Sequence, residues 1–175
     1  MPFKDIGENT RLRTFLVFTE DRYDSGFSSL YLIGLRSLRI PLVRGLDFAT
    51  LIHLRYLEIS QDYYLTELPE TLCDLCNLQT LKLNHCSSLK RLPKGIGKLV
   101  KLRNLYIFDC DLEGLPKGIG KLSLERLDKL LIPNNSNSEA YFHFGDLKKG
   151  NHYQLRGCLR IEGCKNFRNV GEAEK

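Results

Sequence analysis

Leucine and isoleucine recur through the middle of this chain in a repeated pattern. Leu75-x-x-Leu78-x-x-Leu81-x-Leu83 is followed by Leu99-x-x-Leu102-x-x-Leu105-x-Ile107, and the string LPKGIGKL runs from Leu92 to Leu99 and again from Leu115 to Leu122. The same skeleton stands upstream as Leu32-x-x-Leu35-x-x-Leu38-x-Ile40 and Leu51-x-x-Leu54-x-x-Leu57-x-Ile59. It appears in degenerate form at Leu12-x-x-Phe15-x-Val17, and downstream as Leu124-x-x-Leu127-x-x-Leu130-x-Ile132. Alternation in the last apolar pair of each skeleton predicts a short strand with one face inward. These strands centre on Phe15, Leu38, Leu57, Leu81, Leu105 and Leu130, at intervals of 23, 19, 24, 24 and 25 residues.

Self-similarity at this period marks a solenoid, and the leucine spacing is that of a leucine-rich repeat. One coil cannot bury its own leucines, so the core exists only when coils stack. In the best-formed coil Leu89, Leu92, Ile96 and Leu99 return along the outer side, where Pro93 and two glycines favour irregular turns over a long helix. The fifth residue after the strand position gives a check independent of the leucines. It is Asp62, Cys86, Cys110 and Asn135, with Cys164 at the same offset from a further candidate strand, Leu159-x-Ile161; all are small and suited to a turn that bonds to backbone. Glu20 and Val43 depart from this rule in the first two coils, as terminal repeats do. The expected fold is an α/β solenoid: a horseshoe with a parallel concave sheet and an irregular convex side of short helical turns.

The pattern divides 175 residues into a degenerate opening coil and polar loop (1–31), regular repeats (32–133), an Asn- and Ser-rich loop extruded from the solenoid (134–154) and a truncated further repeat (155–175). The stop partway into a coil, with no polar cap, predicts a fragment of a longer protein. No N-terminal run has the charge and apolar pattern of a secretory signal, and no segment approaches the eighteen apolar residues of a bilayer span. The six cysteines are therefore expected to be reduced, in a cytoplasmic protein. Cys73 and Cys76 form a CxxC without a second half-site, so no metal is expected. The sequon at Asn134 would matter only in a secreted protein. The four histidines, His53, His85, His143 and His152, have no local nucleophile arrangement, and no enzyme activity is expected. Net charge is +5, and Lys82 to Lys121 holds nine Lys or Arg against three acids. A solvated face is the plain reading of that excess; an acidic partner domain or a membrane surface is the sharper one.

Residues that alternate with the buried pair should line the concave sheet. In the better-formed coils these include Arg39, Tyr56, Glu58, Lys82, Asn84, Asn104, Tyr106 and Phe108, with Lys129 and Leu131 in the last. Tyr56, Tyr106 and Phe108 are large aromatics on a face that needs no apolar residue, and among charged neighbours they have the character of interface anchors. They could equally stack on one another across the sheet.

LRYLEIS, LTELPETLCDLCNLQTLKLNHCSSLKRLPKGIGKLVKLRNL and the tail LRGCLRIEGCKNFRNVGEAEK together resemble the leucine-rich-repeat region of plant intracellular nucleotide-binding disease-resistance proteins, most closely the coiled-coil class. The irregular spacing, the wording NHCSSLKRLP and the Asn169-Val170 and Glu172-Ala173 pairs carry the resemblance. It implies a protein-interaction module that recognises pathogen effectors or guarded host proteins and restrains a nucleotide-binding switch domain. ATP or ADP would then be bound only in a separate upstream domain. Gly97-Lys98 and Gly120-Lys121 lack the remaining residues of a phosphate loop. Nucleic acid is not an expected partner. An extracellular repeat receptor or inhibitor and a Ras-pathway-type repeat scaffold are the alternatives; the first needs a signal peptide and paired cysteines, the second strictly regular coils.

Overall fold

The computed structural model describes residues 12–16, 34–41, 48–131, 141–142, 146 and 155–163. Expectations about Val17, Glu20, Leu32, Val43, Ile132, Asn134, Asn135, His143, His152, Cys164 and the tail pairs lie outside them. Strands β1 (Thr14–Leu16), β2 (Ser37–Ile40), β3 (Tyr56–Ser60), β4 (Thr80–Asn84), β5 (Asn104–Phe108) and β6 (Arg126–Leu127) form one sheet in chain order, every neighbouring pair parallel. The register joins Phe15, Leu38, Leu57, Leu81 and Leu105 in a single row. The leucine skeleton is thus the core: Leu78, Leu81, Leu83, Leu102, Leu105 and Ile107 are all buried.

Three successive coils return through a 3-10 helix on the convex side, Glu70–Asp74, Lys94–Lys98 and Lys117–Lys121, each entered from a proline. Every one drives an apolar side chain inward, Leu72, Ile96 or Ile119. The glycines of KGIGK serve contact between coils. A Cβ on Gly97 would lie 2.8 Å from Gly118 O, and one on Gly118 would lie 2.9 Å from Gly97 N. Coils touch there backbone to backbone, and only glycine permits it. Glu70 joins the neighbouring coil, its carboxylate accepting from Lys94 N at 2.8 Å and Gly95 N at 3.1 Å.

The turn after each strand repeats in detail. Gln61, His85 and Asp109 all take positive φ (63°, 55° and 53°), immediately before the expected small residue. Asp62 Oδ1 accepts from Tyr64 N and Leu65 N at 3.2 and 3.0 Å, while Cys86 Sγ and Cys110 Sγ lie against Ile59 O and Leu83 O, one coil back, at 3.8 and 3.4 Å. The buried carboxylate thus closes its own turn, and the two buried thiols tie their turns to the coil before.

One expectation needs correction here. The sixth strand pairs through Leu127, not Leu130: Leu105 lies opposite Leu127, an interval of 22 residues. Pairing then stops, because Asp128 and Lys129 would fall in the Tyr106 and Ile107 positions, and the second of these is a core position. Their side chains close the break instead. Asp128 Oδ1 accepts from Ile107 N at 2.7 Å, and Lys129, only 8% exposed, donates to Cys110 O at 3.1 Å and pairs with Glu162 at 2.8 Å. Strand β7 (Lys129–Leu131) leaves the main sheet and pairs in parallel with β8 (Arg160–Glu162). In the segment expected as an extruded loop, two described residues pack against the solenoid. Tyr141 bridges Pro116, Phe142 N donates to Leu115 O at 2.6 Å, and the Phe142 ring is 1% exposed against Gly120.

Candidate protein-binding face

Parallel register sorts the concave residues into rows that cross the strands. Ser37, Tyr56, Thr80, Asn104 and Arg126 form one row; Arg39, Glu58, Lys82 and Tyr106 the next; Ser60, Asn84 and Phe108 the third. The middle row alternates charge before ending on an aromatic ring.

Glu58 organises this face from within. Expected as an exposed contact residue, it is only 7% exposed, and its carboxylate accepts from Tyr56 OH at 2.5 Å and Asn84 Nδ2 at 3.4 Å, with Arg39 Nε 3.4 Å away. A buried carboxylate is stable only when so engaged. Burial, then the hydrogen bond to Glu58 and its negative charge, pushes the Tyr56 phenol up to about 12. Lys129 and Leu131, also expected on the open face, are buried too, because β7 has left the sheet.

The aromatics do not stack directly on each other across the strands. Lys82 Nζ lies between them, 5.5 Å from the Tyr56 ring centroid and 5.3 Å from that of Tyr106. The ammonium sits in the negative field of two rings, a contact of about 0.5–1 kcal/mol each at a partly exposed site. Phe108, 49% exposed, is held edge-on by His85 at 5.2 Å, and His85 Nδ1 lies 2.9 Å from Asp109 Oδ2. Arg39, Asn84, Asn104 and Tyr106 are half-buried, and Asn104 Nδ2 donates to Thr80 Oγ1 at 3.2 Å. The surface is therefore a fixed array of two tyrosines, a phenylalanine, a caged lysine and amides, with its acid withdrawn beneath. Such composition suits a protein contact, where aromatic area anchors and amides adapt.

Sequence reasoning missed the end of this sheet. Where β6 stops, β5 and the β7–β8 pair enclose a cleft of about 630 Å3 lined by Phe108, Asp109, Asp128, Lys129, Cys158 and Arg160 among others. Burial raises the Asp128 carboxyl above its ordinary range. The signal was available: Asp128-Lys129 interrupts an otherwise apolar strand position.

Part of the basic excess on the convex flank is neutralised. Lys90 pairs with Asp111, and Arg91 lies 3.0 Å from Glu113 and 3.7 Å from Glu67. Cys73 is buried and Cys76 exposed, so the CxxC pair does not share one environment; both are free. Burial, followed by the charge of Glu70, pushes the Cys73 thiol up to about 12.

The profile of the leucine-rich repeat region family matches residues 42–151. This chain belongs to the leucine-rich repeat family. It is also 34% identical over 149 residues to Disease resistance protein RPP4 of Arabidopsis thaliana, covering 82% of this chain and 12% of that protein. Among solved structures, it is similar to the leucine-rich-repeat ectodomain of the Arabidopsis thaliana membrane receptor kinase GASSHO1/SCHENGEN3, determined with CASPARIAN STRIP INTEGRITY FACTOR 2. That likeness has 24% identity and a TM-score of 0.48, over 76% of this chain and 16% of that one. Repeat domains of this family serve protein interaction. Among the described residues no helix is long and apolar enough to cross a membrane.

Proposed function

We propose that this chain is the leucine-rich-repeat region of a plant intracellular nucleotide-binding disease-resistance receptor of the coiled-coil class, and that its concave sheet is the surface through which the receptor is controlled. The observation that carries the reading is the Tyr56–Lys82–Tyr106 row with exposed Phe108 beside it, on a family member similar to a resistance protein. In this account a pathogen effector or a guarded host protein, and in its absence the receptor's own nucleotide-binding domain, meets that face. Recognition shifts the receptor from a restrained to an open state in proportion to the ligand's differential affinity for the two. ATP or ADP belongs to the upstream domain, and this chain contributes binding and restraint without catalysis. The reading places the protein in the cytoplasm.

The test uses the full-length receptor with Tyr106→Ala and Phe108→Ala combined. The variant stays folded, because neither side chain belongs to the leucine core. It either recognises its ligand about 1–3 kcal/mol less tightly, as loss of interface anchors does, or signals without ligand. A stable double variant with normal recognition and no ligand-free activity sinks the proposal.

A further inference from the structure

In the two central coils the small side chain of the turn is a thiol, and the thiols are neighbours. Asn84 lies opposite Phe108 at the ends of β4 and β5, and His85 N donates to Phe108 O at 2.8 Å, so the parallel register runs on into the turns. His85 and Asp109 then take the same positive φ, 55° and 53°, and deliver Cys86 and Cys110 to equivalent places on adjacent coils. Equivalent places are one strand spacing apart, about 4.8 Å, within the Cα separation of about 4.4–6.8 Å that a disulfide spans. Cys110 Sγ leans back onto the coil of Cys86, 3.4 Å from Leu83 O. Closing the turn does not by itself require two thiols, since Asp62 fills the same position one coil earlier with a carboxylate.

The two thiols are not equivalent. Their mutual hydrogen bond, ahead of burial, draws Cys110 below its ordinary range, with help from the charge of Lys129, and pushes Cys86 up. Access differs in the same sense: Cys110, 5% exposed, lines the cleft between β5 and the β7–β8 pair, whereas Cys86 is fully buried one coil behind it. We propose that Cys86 and Cys110 form a redox pair, in which a peroxide entering the cleft oxidises Cys110 and Cys86 resolves it into a disulfide joining the two central coils.

The chemistry balances. The Cys110 thiolate sulfur attacks one peroxide oxygen and the O–O bond breaks, leaving a sulfenic acid and a hydroxide that takes the proton Cys110 gave up. The Cys86 sulfur then displaces hydroxide from the Cys110 sulfur, and its own thiol proton leaves with that hydroxide as a second water. The sulfurs together lose two electrons and the peroxide gains two. In a reducing compartment such a bond is transient, reversed by thiol exchange through a mixed disulfide. The inference goes beyond the proposed function and needs neither the concave aromatics nor a receptor.

The test treats the chain with hydrogen peroxide in native buffer, blocks remaining thiols with N-ethylmaleimide and digests it without reduction. Trypsin releases Cys86 in peptide 83–90 and Cys110 in peptide 104–117, and the two should appear as one linked species that dithiothreitol separates. Cys86→Ser should leave a sulfenic acid on Cys110 that dimedone labels about tenfold more than it labels Cys86 in Cys110→Ser, because the thiolate is the reactive form. If a serine variant fails to fold, the parent carries the test: the linked species should dominate in native buffer and give way in urea to a mixture that includes links to Cys158. No linked species, a native link from Cys110 to Cys158 instead, dimedone on Cys86 rather than Cys110, or the same products in urea as in native buffer each overturns the pair. Any of these leaves the Tyr106 and Phe108 test standing, so the two readings fail separately.

Discussion

Replacing Gly97 by alanine probes how coils are stacked, at a place where no side chain can yield. The new Cβ would lie 2.8 Å from Gly118 O, 3.2 Å from Gly118 Cα and 3.3 Å from Gly118 C. All three contacts are backbone atoms of the next convex turn, so relief requires the two coils to move apart along a line where Ile96 and Ile119 are both buried. Two effects oppose each other. Alanine restricts the unfolded chain and gains about 0.4–1 kcal/mol, whereas overpacking a rigid contact costs about 1–3 kcal/mol. The steric term wins, and Gly97→Ala should lower stability by roughly 1–2 kcal/mol. Gly120→Ala is the matched comparison. Its Cβ would meet only the Phe142 ring, at 3.2 Å, and a ring can shift by a few tenths of an ångström, so that variant should stay within about 0.5 kcal/mol of the parent. Urea unfolding of the three proteins, with m-values compared, gives both differences. A Gly97→Ala protein as stable as Gly120→Ala would refute backbone contact between the convex turns.

Leu105 is buried between Leu81 and Leu127 in the sheet row, so Leu105→Ala should cost about 2–5 kcal/mol by denaturant titration; an unchanged midpoint would remove it from the core. Tyr56 supplies a pH test. Its phenol ionises near 12 in the folded chain and near 10 when unfolded, so its contribution is full below pH 10 and falls as pH rises toward 12, where only the unfolded state has given up the proton. The stability difference between the parent and Tyr56→Phe should shrink across that interval, and a constant difference would contradict the link to Glu58.

Much of the fold was legible because a solenoid writes its register into the sequence. Leu38, Leu57, Leu81 and Leu105 each carry an inward leucine three residues earlier, and the positions align across the sheet despite an interval as short as 19. The sixth coil misled for a specific reason. Leu124, Leu127 and Leu130 recur every three residues, so the skeleton fits in two frames; the segment Leu122-x-Leu124 is one residue shorter than Leu99-x-x-Leu102, and that deletion selects Leu127. Alternation placed Tyr56, Lys82, Tyr106 and Phe108 on the concave side, but it cannot tell a solvated carboxylate from one buried under its neighbours. Glu58 is buried because Tyr56, Asn84 and Arg39 converge on it from three strands, a fact of register rather than of local sequence.

Hydroxyl-radical footprinting of the full-length receptor, resting and ligand-bound, against the isolated chain tests the central claim most directly, because it reads side-chain cover without altering the face. The account predicts that Tyr106 and Phe108 are labelled severalfold more slowly in at least one receptor state than in the isolated chain, while Val100, 62% exposed on the convex side, is labelled alike in all. Equal labelling of Tyr106 and Phe108 in the isolated chain, the resting receptor and the ligand-bound receptor would contradict it.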